Sequence, residues 1–185
     1  MDRDTVTSLE SVSVVIPVYN GEKFLEDAIA SLLRQTVPVR DIVVIDDGST
    51  DRTPQIAADF GSPVRYYRQE RKGPPAARNY GIEKAASEWV SLLDADDVWP
   101  DDSLRLQLGW IKKDPSLQIV IGHALLWQAP DKESIPMPYK LSEEPGLIMN
   151  LGSALIRRSL FDRLGLLNPE LVYFDDWDWF MRARE

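Results

Sequence analysis

Ile42-Val43-Val44-Ile45-Asp46-Asp47-Gly48-Ser49-Thr50-Asp51 runs from four β-branched residues straight into an acidic turn, with Thr53-Pro54 just beyond. The apolar run, with no polar residue to face water, reads as a buried strand. Ser49, Thr50 or Asp51 can cap a helix over Thr53 to Phe60, where Pro54 sits in the tolerated first turn. Upstream, Val12 to Ile16 reads as another buried strand closed by Pro17. Between the two, Phe24, Leu25, Ala28, Ile29, Leu32 and Leu33 recur at one-turn intervals, which predicts a helix over Glu22 to Gln35. Downstream the alternation continues with a strand over Val64 to Tyr67, a helix over Ala76 to Ala86, and a strand over Trp89 to Leu93. A helix over Asp102 to Lys113 follows, opened by acids and closed by lysines as the helix dipole favours. Strand and helix in strict alternation imply right-handed crossovers and an α/β fold with a mainly parallel central sheet and helices on both faces. Ligands in such sheets bind at the carboxyl ends of the strands.

Beyond Ile121 the rhythm weakens. Gln128 to Pro145 holds four prolines and several charges and reads as a surface excursion. Leu147 to Ile156 then reads as strand, and Ser159 to Leu164 and Trp177 to Arg184 as helices. Met1 to Ser11 is a polar arm, which leaves residues 12–185 as a single domain. With 185 residues, 44% of them hydrophobic, the chain is long enough to bury a substantial core. Thirty acidic against 21 basic residues, a net charge of −9, argue against nucleic acid or a broadly anionic surface as partner. There is no cysteine, so disulfides, thiolate metal sites and cysteine nucleophiles are excluded, and a reducing, cytoplasmic setting is the natural expectation. No apolar run approaches the roughly 20 residues needed to span a bilayer, which leaves peripheral association as the expected mode of any membrane contact.

The acids fall on one rim. Asp46 and Asp47 follow one strand, and Asp94-Ala95-Asp96-Asp97 follows another. Clustered carboxylates repel one another and any phosphate by about 1 to 4 kcal/mol per close pair, so a diphosphate there needs a cation between the charges. Hard Mg²⁺ or Mn²⁺ suits such oxygens. In extended chain Asp94 and Asp96 share a side, so one can hold the metal while the other takes a ribose hydroxyl. A carboxylate at the end of the Ile42 strand can also accept the imide N–H of uracil or thymine, or the N1–H and amino pair of guanine, whereas adenine lacks that pattern. Between the acid clusters, Gly73 to Gly81 (GPPAARNYG) places Arg78 where it can reach a phosphate and Asn79 where its amide can fix a loop. Asp97, Asp101 and Asp102 are expected as helix caps. Finally, Phe174-Asp175-Asp176-Trp177-Asp178-Trp179 sets three acids among three aromatics. A carboxylate backed by rings is partly desolvated and becomes a better general base, and the rings can receive a sugar face.

The ordered segments PVYNGEKFLEDAIASLLRQT, VVIDDGSTDRT, GPPAARNYGI, VSLLDADDVWPDD and FDDWDWFMR resemble the family 2 glycosyltransferases, inverting enzymes of GT-A fold, over Val12 to Arg182. The resemblance implies a Rossmann-like nucleotide-diphospho-sugar transferase that uses Mn²⁺ or Mg²⁺. A nucleoside-diphosphate sugar, with UDP-sugar favoured, would be the donor, and a glycan, lipid-linked or other hydroxyl the acceptor in polysaccharide or cell-envelope synthesis. By the same resemblance Pro17, Val18 and Tyr19 match the loop around the base, Asp47 the acid contacting it, and Arg78 the arginine near the nucleotide. Asp96 matches the metal ligand, Asp94 the ribose or metal-side contact, and Asp176 the catalytic base. Asp175 stands where the family has Glu. The lone histidine, His123, does not match a family metal ligand and is read as structural. Family members commonly continue past the position of Arg182, so this sequence, stopping at Glu185, is expected to be a shortened version.

Two other classes compete. Ser91 to Val98 also fits the hhhDxDx[TV] pattern of haloacid-dehalogenase-like phosphatases, but that motif follows a first strand and here follows about the fourth. A nucleotide-sugar-binding module without turnover is the second, and Asp176 argues against it. No G-x-G-x-x-G follows the first strand, and no G-x-x-x-x-G-K-[ST] occurs.

Overall fold

The computed structural model describes residues 11–124, 146–147, 150–171 and 173–184. Nearly all of the Met1 to Ser11 arm and the whole Gln128 to Pro145 excursion lie outside the described residues. Strands β1 (Val12–Val18), β2 (Asp41–Asp46), β3 (Val64–Arg68) and β4 (Trp89–Leu92) are joined by helices α1 (Leu25–Leu33), α2 (Thr53–Phe60) and α3 (Pro74–Lys84). After β4 come α4 (Ser103–Lys113), β5 (Ile119–Ile121), β6 (His123–Ala124), β7 (Gly146–Leu147), β8 (Ala154–Arg157), α5 (Arg158–Leu164) and α6 (Asp175–Ala183). Among the described residues β3-β2-β1-β4-β8-β5 form one sheet, and β6 pairs with β7 as a separate two-residue ladder. β1 is parallel to both β2 and β4, and β2 to β3. β8 is antiparallel to its two neighbours, so the sheet is mostly parallel.

The strands are apolar on both faces because both are covered. Val12, Val14, Ile16 and Val18 of β1 share a cluster with Leu25, Ala28, Ile29 and Leu32 of α1, Ile56 of α2, and Leu104 and Leu108 of α4. Val15 faces the other way, into a cluster with Ala77 and Ile82 of α3, Leu160 and Phe161 of α5, and Trp179 and Phe180 of α6. A proline is tolerated within β1 for a geometric reason. Val18 O accepts from Asp47 N on the β2 side and Val15 O from Leu93 N on the β4 side, so odd positions point toward β4. The β4 pairing ends at Val15, so Pro17, which has no N–H to donate, sits just past the last paired residue on that side. β1 therefore runs on to Val18, one residue past Pro17, instead of closing at it.

Four further expectations about elements change, one being that α6 begins at Asp175, two residues before Trp177. Asn20 is left-handed (φ 51°) and Phe24 N and Leu25 N both bond Gly21 O, so a turn delays α1 to Leu25. α3 begins at Pro74, earlier than Ala76, since proline suits a first helical turn. The stretch read as one strand from Leu147 is broken by a 3₁₀ turn at Leu151–Ser153, capped by the Asn150 side chain accepting from Ser153 N. The capping expectation holds at Asp51, whose Oδ1 accepts from Thr53 N at the start of α2, and fails elsewhere. The N-cap positions of α2 and α4 are Arg52 and Asp102, neither with a side-chain cap bond. Asp102 instead receives Thr36 Oγ1 and a fork of two N–H groups from Arg105, and Asp101 lies 3.6 Å from Arg34.

The reversal at β8 has a positional effect. Its register, Ser91 with Leu155 and Trp89 with Arg157, carries the chain down to the amino ends of the parallel strands. α5 then returns toward the carboxyl ends, which delivers the start of α6 to the rim where β1, β2 and β4 finish. No helix among the described residues is long and apolar enough to cross a membrane.

Candidate active site

A cleft of about 440 Å³ opens on that rim. Pro17, Val18 and Tyr19 after β1, Asp47 after β2, Arg78 from α3, and Asp94 and Asp96 after β4 all line it. The structure thus gathers seven of the eight residues singled out in sequence around one opening. Asp176 is not among the lining residues and joins the group through Arg78.

The floor is held by hydrogen bonds that the acidic turn supplies. Asp46, fully buried, accepts from Ser49 N at 2.7 Å and from the Tyr66 hydroxyl at 2.6 Å. Burial, then the bond to Asp46, pushes the Tyr66 hydroxyl up to about 12. Asp47 Oδ1 takes Gln69 Nε2 at 2.7 Å and Lys72 N at 2.8 Å, and Oδ2 takes Gly73 N at 2.8 Å. Ser49, Asp51 and Thr53 tie two loops together. Ser49 Oγ accepts from Asn20 N, Thr53 Oγ1 from Gly21 N, and Asp51 Oδ2 from Glu22 N. Asp51 Oδ1 also accepts from Thr53 N and Oγ1. The Arg71 guanidinium carbon lies 3.8 Å from the centre of the Tyr19 ring, and its Nη1 donates to the Tyr19 hydroxyl at 3.1 Å.

Arg78 is the hub. Its Nη1 donates to both carboxylate oxygens of Asp175, at 3.1 and 2.9 Å, and its Nη2 to Asp94 Oδ1 at 2.9 Å. Burial alone would depress its pKa, but Asp94 and Asp175 together outweigh it and hold the guanidinium above the ordinary arginine value. Expected to reach a phosphate, Arg78 has three of its five N–H donors on carboxylates instead. Asp175, where the resemblance leads one to expect Glu, is therefore the buried partner of Arg78 and not a spare acid. Asn79, one residue on, clamps Leu167 by donating to its O at 2.8 Å and accepting from its N at 2.9 Å, the loop-fixing role expected of it.

The remaining acids are under-partnered. Asp96 is exposed and makes no hydrogen bond or ion pair among the described residues. Asp97 reaches solvent, yet its Oδ2 lies 4.0 Å from where a side chain at Gly152 would start. Desolvation first, then repulsion from Asp94 and Asp96, raises its carboxyl to about 6, a strained charge where a cap was expected. Asp176 is half-buried, and burial raises its proton affinity further than its bond from Trp177 N, 2.8 Å, lowers it. Beside it Tyr173, Phe174 and Trp177 expose their rings, and Phe174 is left-handed at φ 63°. A bulky side chain in that region stores strain of the kind found at functional turns. His123 sits exposed in β6 and does not line the cleft.

Arg71 was missed in sequence. Its only signal was a basic residue three positions after a strand end, in the run Arg68 to Lys72. The partnering of Arg78 with Asp175, 97 residues away, left no local trace at all.

Glycosyl transferase family 2 matches this chain over residues 13–165. An uncharacterized glycosyltransferase of Rickettsia typhi is 32% identical over 197 residues, covering 100% of this chain and 61% of the relative. The crystal structure of S. aureus TarS 1–349 in complex with UDP-GlcNAc superposes with a TM-score of 0.74 at 24% identity, over 94% of this chain and 53% of that one. The mannosyltransferase PcManGT from Pyrobaculum calidifontis, in complex with GDP-Man and Mn²⁺, gives 0.65 at 25% identity, over 89% and 49%. This chain thus spans 61% of that relative and about half of each solved structure. By sequence over most of its length and by architecture, the chain belongs to glycosyl transferase family 2 and has the GT-A fold.

Proposed function

We propose that this chain forms the donor-binding and catalytic region of an inverting, metal-dependent transferase that moves a sugar from a nucleoside-diphosphate sugar, UDP-sugars first, to an acceptor hydroxyl. The observation that carries this is the Arg78 bridge, which couples Asp94 on the donor rim to Asp175, the neighbour of Asp176. One guanidinium thereby links the donor acids to the acceptor-side acid.

In this scheme Pro17 to Tyr19 and Asp47 hold the base, and Asp94 the ribose. Asp96, with the oxygen of Asp94 that Arg78 leaves open, fits Mn²⁺ or Mg²⁺. No cage of three or more acids or histidines forms among the described residues, and none is required, since these ions are commonly held by one or two carboxylates with substrate phosphates completing the shell. Such an ion would offset the charge gathering on the departing diphosphate. Asp176 takes the proton of the acceptor hydroxyl, its raised proton affinity making it the stronger base. The acceptor oxygen then bonds the anomeric carbon as the bond to the diphosphate oxygen breaks on the opposite face, and configuration inverts. Exposed rings at Tyr173, Phe174 and Trp177 suit a carbohydrate acceptor, as in polysaccharide or cell-envelope glycan synthesis on the cytoplasmic side of a membrane.

A thermal-shift panel of nucleotide sugars with and without Mn²⁺, followed by a transfer assay, tests the scheme, since a specific ligand stabilises the folded state in proportion to ln(1 + [L]/Kd). Stabilisation by one nucleotide sugar, enhanced by Mn²⁺ and accompanied by transfer with inversion, is expected. Binding without transfer or donor hydrolysis would favour a binding module, and hydrolysis of a simple phosphate ester would favour the phosphatase class.

A further inference from the structure

Two helices expose large apolar side chains, and their charges are opposite. At the start of α6, Phe174 and Trp177 stand among Asp175, Asp176 and Asp178. On α4, Leu106 and Trp110 are 57% and 58% exposed, and the charged residues of that helix are Arg105, Lys112 and Lys113, with no acid among its 11 residues. In a chain with 30 acidic and 21 basic residues, a helix free of acids is a local exception to the net charge.

Leu106, Trp110 and Lys113 follow one another by a turn each, on the side of α4 away from Leu104, Leu108 and Ile111, which face the sheet. A helix normally turns polar residues to water on that side. Gly109 adjoins the strip, and a side chain there would start with nothing within 4 Å, so none of the described residues packs over it. Lys113 Nζ lies 4.4 Å from the centre of the Trp110 ring, which sets an ammonium against the aromatic surface. Asp102, at the head of the helix, is occupied by the fork from Arg105, and Asp114, past its tail, accepts from Ser116 N and Oγ.

A tryptophan and a leucine flanked by lysine are what the headgroup layer of a bilayer accepts, since the rings and alkyl groups enter while the ammonium stays at the phosphates. We propose that the outer strip of α4 is a peripheral membrane-docking surface, with Trp110 and Leu106 entering an anionic bilayer and Lys113 meeting its lipid phosphates. The net charge of −9 argues against broad contact with such a surface, and the contact is accordingly confined to this one helix. The three acids around Phe174 and Trp177 exclude α6 from the same role. No residue of α4 lines the cleft, so docking through it leaves the donor opening free. Two apolar side chains make a weak and reversible anchor.

Vesicle flotation tests this, with vesicles of phosphatidylcholine alone and of equimolar phosphatidylcholine and phosphatidylglycerol. The wild type should float with the mixed vesicles, and added salt should weaken the binding. Leu106→Gln combined with Trp110→Gln should lose about 10- to 100-fold in affinity, and Lys113→Glu about 10- to 30-fold. All three side chains are exposed, so these variants should fold as the wild type does, which their melting curves check. Trp177→Gln, on the acidic face, should bind the vesicles unchanged. Absence of wild-type binding, equal binding to both vesicles, or a loss with Trp177→Gln that the α4 variants do not share would overturn the proposal. So would a dimer in sedimentation that the Leu106 and Trp110 substitutions dissolve, since the strip would then join two copies of this chain. No nucleotide enters the assay, so its outcome is separate from that of the donor panel.

Discussion

Asp46-Asp47 and Asp94 to Asp97 are both acidic turns at the ends of parallel strands that flank β1, yet their carboxylates live differently. Asp46 and Asp47 are buried and accept five hydrogen bonds between them, which convert two charges into the pins of the rim. Asp96 has no partner among the described residues, and Asp97 has only like-charged neighbours in Asp94 and Asp96. The pair at the start of α6 repeats the contrast within two residues, Asp175 locked to Arg78 and Asp176 left with the adjacent Trp177 N. Asp46, Asp47 and Asp175 are tied into the frame of the cleft, Asp94 gives one oxygen to Arg78, and Asp96 and Asp176 keep theirs largely free. Composition does not separate the two kinds. Donor groups within reach do.

That division can be broken experimentally. Asp176→Asn should lower the rate of transfer by about 10²- to 10⁴-fold, the usual contribution of a general base, while nucleotide affinity and melting temperature stay near wild type. Retained turnover in a single-turnover assay would move Asp176 to the structural side. Asp46→Ala should do the reverse and strand Ser49 N and the Tyr66 hydroxyl, at about 2 to 3 kcal/mol. A urea titration checks this, and a loss below the noise would mean that water replaces the carboxylate. Asp96→Ala should erase the Mn²⁺-dependent part of UDP affinity, about tenfold, and leave stability alone, since nothing in the fold leans on it. A UDP titration unaffected by removing Asp96 would take the ion elsewhere.

The smallest effect concerns pH. The Asp97 carboxyl, raised to about 6, binds its proton more tightly in the folded than in the unfolded chain. Metal-free protein should therefore lose a little stability as pH rises from about 4 to about 6, the opposite of a paired carboxylate. Mn²⁺ affinity should rise over the same window as the proton leaves. A flat response of both melting temperature and Mn²⁺ affinity would show that Asp97 is solvated and uncoupled from its neighbours.

Much of the architecture was legible because two-sided burial writes an unmistakable pattern. Val12 to Ile16, Ile42 to Ile45 and Trp89 to Leu93 carry no periodic polar face, and the helix between the first two shows its stripe. The break at Leu151–Ser153 was hidden, since it depends on Asn150 turning back to Ser153 N and on Trp99 Nε1 reaching Gly152 O from 53 residues away. The antiparallel direction of β8 is equally silent in sequence, because a short strand of three apolar residues and an arginine reads the same either way. At the site, residue identities were legible through motif order, but their partners were not. Arg105 stands an i,i+3 step from Asp102 and is legible there, but nothing around Asp102 announces Thr36, and nothing around Asp175 announces Arg78.

Gly81 lies one turn after Arg78 on α3, and a methyl group there would start 2.1 Å from Val15 Cγ1 and 3.2 Å from Ile45 Cγ1. Bare backbone resting on two central strands makes α3 a shim of fixed thickness, so the height of the guanidinium above the sheet is set by the absence of a single carbon atom. Alanine at this position would have to lift the helix or push Val15 aside, and Arg78 would lose alignment with both acids without either being altered. The alignment of the cleft is thus machined some way below its opening, at a seam buried between helix and sheet.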